Sequence, residues 1–224
     1  MHAKIRDLIF TNLLAILLGI AVSGFMLLLL GENPISAFAI LITSVVRDVY
    51  TFADIFVKAT PLMFTALSFA FTYKANLYNI GAQGQFYIGA VIAAASSLYL
   101  QNILPGLLAL SVTLLLTIVG SGLWGAFIGL VKAKYNSNEF LVSMMSTYVA
   151  LAIMNYLLRT FLMEAKAEYP QTDALANSIW LPRIIPGTRL HIGFVLAVLS
   201  CIGVWILLYK TPLGYRIRAV GYNA

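Results

Sequence analysis

Apolar residues in this chain fall into long blocks separated by short polar breaks, the pattern of helices that cross a bilayer. A hydrocarbon core of about 30 Å takes about 20 helical residues at 1.5 Å each. The first block reads Leu8 to Leu30, too long for a secretory signal peptide because Phe25 to Leu30 continue past the cleavage-like Ala21-Val22-Ser23. After Gly31-Glu32-Asn33-Pro34, the stretch Ile35 to Val46 is too short to span and is expected at the surface or re-entrant. Arg47 to Lys58 mixes charges with Tyr50, Phe52 and Phe56, as an interfacial helix does. A short second span is predicted to open at Pro61 and end at Tyr73-Lys74. Four more follow at Asn79–Leu100, Pro105–Val131, Phe140 to about Met163, and Leu190–Tyr209.

The expectation is an all-α, polytopic membrane bundle of about six spans, forming one domain over residues 1–224. Composition agrees: 61% of residues are hydrophobic and 10% charged, with a mean hydropathy of +0.92. With the N-terminus inside, the cytoplasmic segments hold Lys4, Arg6, Lys74, Lys132, Lys134, Lys210, Arg216 and Arg218 against Asp7 and Glu139. The outer segments hold six bases (Arg47, Lys58, Arg159, Lys166, Arg183, Arg189) and six acids (Glu32, Asp48, Asp54, Glu164, Glu168, Asp173), so the whole net charge of +6 lies on one side. That is the positive-inside partition, with both termini cytoplasmic. Because the bases are spread over four short loops and tails, nucleic acid is not an expected partner, whereas membrane lipid is.

The chemistry this leaves is narrow. Cys201 is a single cysteine inside an apolar run, and His2 and His191 flank different segments, so no metal site is expected. There is no HExxH, GxSxG or GxxxxGK[ST] and no paired intramembrane carboxylate, so no catalytic residue is assigned and any ATP must bind another polypeptide. No acid sits deep in a span, which argues against an ion-coupled carrier.

Leu77-Tyr78-Asn79-Ile80-Gly81-Ala82-Gln83-Gly84-Gln85-Phe86 places amides and glycines where a span begins, so it is either a polar cap with close packing or a broken helix lining a pathway. Gly81 and Gly84, and the small-xxx-small pair Gly125 and Gly129, read as helix packing. Asn138 or Ser137 is placed to cap the fifth span. Within that span Ser143, Ser146, Thr147 and Asn155 share helical faces and bond either a passing solute or a neighbouring helix. The outer stretch Glu164–Arg189 is either a docking surface for a delivery protein or a connector anchored by Trp180 and Tyr169.

Three blocks in order, Asn79-Ile80-Gly81-Ala82-Gln83-Gly84-Gln85, Asn138-Glu139 leading into Ser146-Thr147-Tyr148-Val149-Ala150, and Thr211-Pro212-Leu213-Gly214-Tyr215-Arg216-Ile217-Arg218-Ala219-Val220-Gly221-Tyr222-Asn223, resemble a known family. It is that of the permeases of bacterial ATP-binding cassette (ABC) importers for branched-chain amino acids, simple sugars and nucleosides, and the nucleoside and sugar branch in particular. Two positions depart from the family pattern: Gln83 stands where an acid is usual, and Thr147 where an Asn often precedes the Tyr.

The resemblance implies a multi-pass protein of the bacterial plasma (inner) membrane that works by alternating access. It implies a second permease chain, an ATPase subunit carrying ATP and Mg²⁺, and an extracytoplasmic binding protein or lipoprotein as partners, with no cofactor in this chain. It places Asn79, Gln83 and Gln85 near the translocation pathway, to which the polar face of the fifth span adds Ser143 and Thr147 as candidates, and Gly214, Arg216, Arg218 and Gly221 near the ATPase. Members of that family continue past the point where this chain stops at Ala224 and add further spans. The sequence is therefore expected to be the N-terminal part of a longer permease that does not transport by itself.

Overall fold

A computed structural model describes residues 2–165 and 168–222, without the side chains of 2–10 and Val46. The charge expectations on Lys4, Arg6, Asp7 and Lys166, and the end of the C-terminal block at Asn223, lie outside the described residues. The regular elements are helical: α1 (His2–Leu29), α2 (Pro34–Arg47), α3 (Val49–Tyr73), α4 (Ala82–Leu100), α5 (Gly106–Tyr135), α6 (Glu139–Thr160), α7 (Gly193–Lys210) and α8 (Pro212–Tyr222). The chain falls into two compact units, 1–55 and 56–224.

In the first unit α1 and α2 form a hairpin around Gly31, whose φ of +81° suits glycine. Asn33 caps α2, its Oδ1 accepting from the N–H groups of Ile35 and Ser36 at 3.0 and 3.4 Å. The segment expected to be too short to span is this 14-residue helix.

Among the described residues five helices are long and apolar enough to cross a membrane: α1 from Thr11 onward, α3, α5, α6 and α7. The sixth expected span is the 19-residue α4. It is not in that set because Gln83, Gln85, Ser96 and Ser97 dilute its apolar character. Its surroundings make up for this, since α4 packs most extensively of all on its neighbours α5 and α6.

The interfacial helix and the short second span expected on either side of Pro61 are one 25-residue helix, α3, with Pro61 in its interior. Asp48 starts it early by accepting from the N–H of Tyr50 at 3.1 Å. A proline there leaves the Val57 carbonyl without its helical donor, which membrane helices tolerate, and the hydroxyls on either side add bonds to other carbonyls. Thr60 Oγ1 donates to Phe56 O at 2.8 Å and Thr65 Oγ1 to Pro61 O at 3.1 Å.

Burial is inverted relative to a protein that folds in water. The buried positions of the second unit are mostly small, such as Ala82, Ala109, Ser143, Ala150 and Ala197, while Leu115 is 62% exposed and Ile118 67%. Without a hydrophobic drive between helices in lipid, close backbone approach is what holds them together, and small residues permit it.

Candidate translocation cleft and the short terminal helix

α5 carries small or polar residues at every fourth position: Thr113, Thr117, Ser121, Gly125 and Gly129. A spacing of four keeps them on one slowly drifting helical face. α4 answers with Gln85, Gly89 and Ala93 at the same spacing. A Cβ on Gly89 would lie 3.5 Å from both Ser121 Cβ and Thr117 Cγ2, and one on Gly125 only 2.6 Å from Gln85 Nε2. The two ladders therefore run antiparallel, and the long Gln85 side chain fits because its partner has none.

On its other side α4 meets α6. Cβ atoms on Gly81 and Gly84 would lie 3.1 Å from Ser143 Cβ and 2.9 Å from Thr147 Cα. Ser143 is fully buried. Its hydroxyl donates to Phe140 O at 3.1 Å, Ser146 Oγ to Ser143 O at 2.7 Å, and Thr147 Oγ1 to Ser143 O at 3.1 Å. Their hydroxyls thus donate within α6 itself and not to a neighbouring helix. Asn155 is exposed.

α3, α4 and α5 leave a cleft between them. One part, about 350 Å³, is lined by Phe64, Thr65, Ser68, Gln85, Phe86, Thr117 and Ser121 among others. A second, about 270 Å³, shares Ser68 and Gln85 and continues past Thr72, Tyr78, Asn79, Gly125 and Gly129 to Lys132 and Glu139. Asn79 precedes α4, its Nδ2 donating to Ser68 Oγ at 3.0 Å while its buried Oδ1 has no partner. At the far end Lys132 Nζ pairs with Glu139 Oε2 at 2.9 Å across the short α5–α6 turn. Asn138 caps α6 there, accepting from the N–H groups of Phe140 and Leu141 at 3.0 and 3.3 Å, whereas Ser137 Oγ donates back to Val131 O.

Of the residues expected near a pathway, Asn79 and Gln85 meet in the cleft. Gln83 does not line it: it is exposed and donates to the Tyr87 hydroxyl on its own helix. Ser143 and Thr147 form the seat of α4. Of the four packing glycines, Gly81, Gly84 and Gly125 hold close approaches, while Gly129 has no atom within 4 Å of a would-be Cβ and lines the cleft. Sequence reasoning missed Thr65, Ser68 and Thr72, although their spacing of three and four along an otherwise apolar helix was the available signal.

The C-terminal block folds as α8, an 11-residue helix begun by Thr211, whose Oγ1 accepts from the Gly214 N–H at 3.1 Å. Gly214, Arg218 and Gly221 share its inner face. Cβ atoms on the two glycines would collide with the last turn of α7 at Leu208 and with the backbone of Lys74 beyond α3. Arg218 lies over the Tyr209 ring, and Arg216 is exposed.

The connector Glu164–Arg189 is tied to the α4–α5 turn: Gln101 Oε1 accepts from the Ala176 N–H at 2.9 Å, and a Cβ on Gly106 would lie 2.6 Å from Ser178. Trp180 carries Arg183 at 4.8 Å over its ring, and Tyr169 is exposed.

The family described as branched-chain amino acid transport system / permease component matches residues 51–224. The chain is 29% identical to the guanosine ABC transporter permease protein NupP of Bacillus subtilis over 94% of its own length and 61% of that protein. It is 28% identical to the glucose ABC transporter permease protein TsgB13 of Haloferax volcanii, over 95% of itself and 58% of that protein. It is 26% identical to the nucleoside ABC transporter permease protein NupB of Lactococcus lactis, over its full length and 63% of that protein. The chain thus spans about three-fifths of the length of these curated relatives. No solved structure matches it significantly.

Proposed function

The chain belongs to the branched-chain amino acid transport system permease-component family, and on that premise we propose that it forms the membrane-spanning part of an ABC importer for nucleosides or simple sugars. The family and the five apolar helices make it a multi-pass plasma-membrane protein. The observation that carries the transport reading is the cleft between α3, α4 and α5, whose apolar walls carry uncharged amides and hydroxyls and whose one end reaches the Lys132–Glu139 pair. Asn79, Gln85 and Ser68 offer donors and acceptors without net charge, and the charges at the end of the cleft neutralise each other in the Lys132–Glu139 pair, which suits a neutral polyhydroxylated solute. The names of the guanosine, nucleoside and glucose relatives support the same class.

In this reading residues 1–224 are one permease domain with both termini cytoplasmic. Ser143 and Thr147 hold α4 in register, and Gln83 faces the pathway only in another state or beside a second permease chain. α8 meets the ATPase that carries ATP and Mg²⁺: Arg216 reaches outward, while Gly214, Gly221 and Arg218 seat the helix. An extracytoplasmic binding protein delivers solute, and differential affinity of the two states of the paired permeases sets direction.

The test is uptake of labelled uridine and guanosine by cells carrying the operon with the wild-type gene, a deletion, or Gln85→Leu, with unlabelled ribose as competitor. Gene-dependent uptake that ribose leaves untouched and Gln85→Leu abolishes is the expected outcome for a nucleoside pathway, and competition by ribose moves the substrate to sugars. Full uptake in the Gln85→Leu strain sinks the assignment of the cleft.

A further inference from the structure

Two cations from different elements converge on one aromatic ring at the end of the second unit. Lys74 Nζ, just beyond α3, lies 5.9 Å from the Tyr209 centroid, and Arg218 Cζ on α8 lies 5.0 Å from it. Lys210, the next residue along, holds its Nζ 5.8 Å from the Trp205 ring centre. Among the described residues no carboxylate pairs with any of the three. An ion pair does form there, between Lys132 and Glu139, and it belongs to α5 and α6.

A π face attracts a cation but accepts few of its N–H groups, so it leaves most of their hydrogen-bonding capacity unmet. Arg218 shows the deficit directly, since its Nε is buried without an acceptor and its side chain is half-buried. The backbone pins the arrangement, because Gly221 backs onto the Lys74 carbonyl and Gly214 onto the last turn of α7. What the cluster lacks is an anion with several acceptor oxygens, the partner a guanidinium fork fits best.

The position says where the anion comes from. α7 is an 18-residue apolar helix that ends at Lys210, and Ile202, Trp205 and Ile206 are exposed along it directly before the cluster. Trp205 and Tyr209 stand at the level where aromatic side chains line a membrane–water boundary. We propose that Lys74, Lys210 and Arg218 bind the phosphate headgroup of an anionic phospholipid, whose acyl chains lie along the exposed face of α7. The lipid then ties the ends of α3, α7 and α8 together, and the seating of α8 depends on leaflet composition.

Native mass spectrometry of the full-length protein, purified with phosphatidylcholine and phosphatidylglycerol, tests this by the phosphatidylglycerol that the folded species retains. Lys74→Gln and Arg218→Gln are each expected to weaken retention about fivefold, and the double variant about thirtyfold, the effect of about one favourable basic contact per charge. Arg218→Lys should keep most of it. Lys134→Gln, a cation 5.5 Å over Tyr135 and outside the cluster, should leave retention unchanged. Arg218→Gln risks unseating α8, so Lys74→Gln, at a residue outside α8, carries the decision if Arg218→Gln misfolds. Retention in Lys74→Gln equal to that in Lys134→Gln overturns the proposal. So does displacement of the lipid by soluble glycerol phosphate at matched concentration, which would mean a free-anion site.

Discussion

The Gln85 amide occupies the space that a side chain on Gly125 would need, with Nε2 2.6 Å from the position of a Cβ there. The end of a flexible side chain yields where backbone does not. Gly125→Ala is therefore expected to swing Gln85 out of its place in the cleft while leaving the bundle folded. If Gln85 contributes one hydrogen bond to solute, uptake should fall about tenfold, matching a loss of about 1.5 kcal/mol. Uptake and thermal unfolding measured on the same variant separate the two effects, and a drop in melting temperature without a drop in uptake per folded molecule contradicts the placement.

Gly84 is the opposite case, because its neighbour is the backbone of Thr147 at 2.9 Å from a would-be Cβ. Gly84→Ala should force α4 and α6 apart and cost about 1–3 kcal/mol, the range for an overpacked core. Gly129→Ala has open space before it and should change stability by less than about 0.5 kcal/mol. Thermal denaturation of both variants in one detergent makes the comparison, and equal effects would refute the α4–α6 contact.

Asn138→Ala removes the side-chain acceptor from the first N–H groups of α6 and is expected to cost about 1 kcal/mol, with Asn138→Ser recovering most of it. Ser137→Ala should cost less, since its hydroxyl serves a carbonyl of the preceding helix. Unfolding of the three variants in parallel would show the ranking, and a larger loss for Ser137→Ala would reverse the capping assignment.

The Lys132–Glu139 pair is partly open to solvent, so Glu139→Gln should lower stability by less than about 1 kcal/mol. Its place at the end of the cleft gives it a second expected readout. A change in uptake at low salt that exceeds the stability loss would mark the pair as part of the pathway mouth, whereas proportionate changes in both would make it a loop staple only.

The spans were legible because lipid demands long apolar runs, and α5, α6 and α7 lie within a few residues of their predicted ends, whereas α1 ends beside the predicted Leu30 but begins six residues earlier than predicted, at His2 rather than Leu8. Pro61 misled because proline reads as a helix start, although the local cap at Asp48 already marks an earlier start for α3, which then runs through the proline. Gln83 and Gln85 look alike in sequence, yet two residues on a helix are separated by about 200°. The period alone separates them, and it was the neighbours of α4 that decided which one reached the cleft. Ser143 and Thr147 were legible as polar residues on one face but not as donors within their own helix, since nothing in a sequence says whether a hydroxyl turns outward or back.

That turning back extends beyond α6. Thr117 and Ser121 on α5 donate to Thr113 O and Thr117 O, and Ser96 on α4 to Ile92 O. Among the described residues no side-chain hydrogen bond joins α4 to α5 or to α6, although these are the most closely packed helices of the unit. The surfaces that touch are rich in glycine, alanine and hydroxyls, several of the hydroxyls spent on their own backbones, with the Gln85 amide set against Gly125. Such a joint is held by shape alone: the Gln85 amide seated at Gly125 and the edges of Gly81 and Gly84 against Ser143 and Thr147 fix the place of α4 without any side-chain hydrogen bond between the helices.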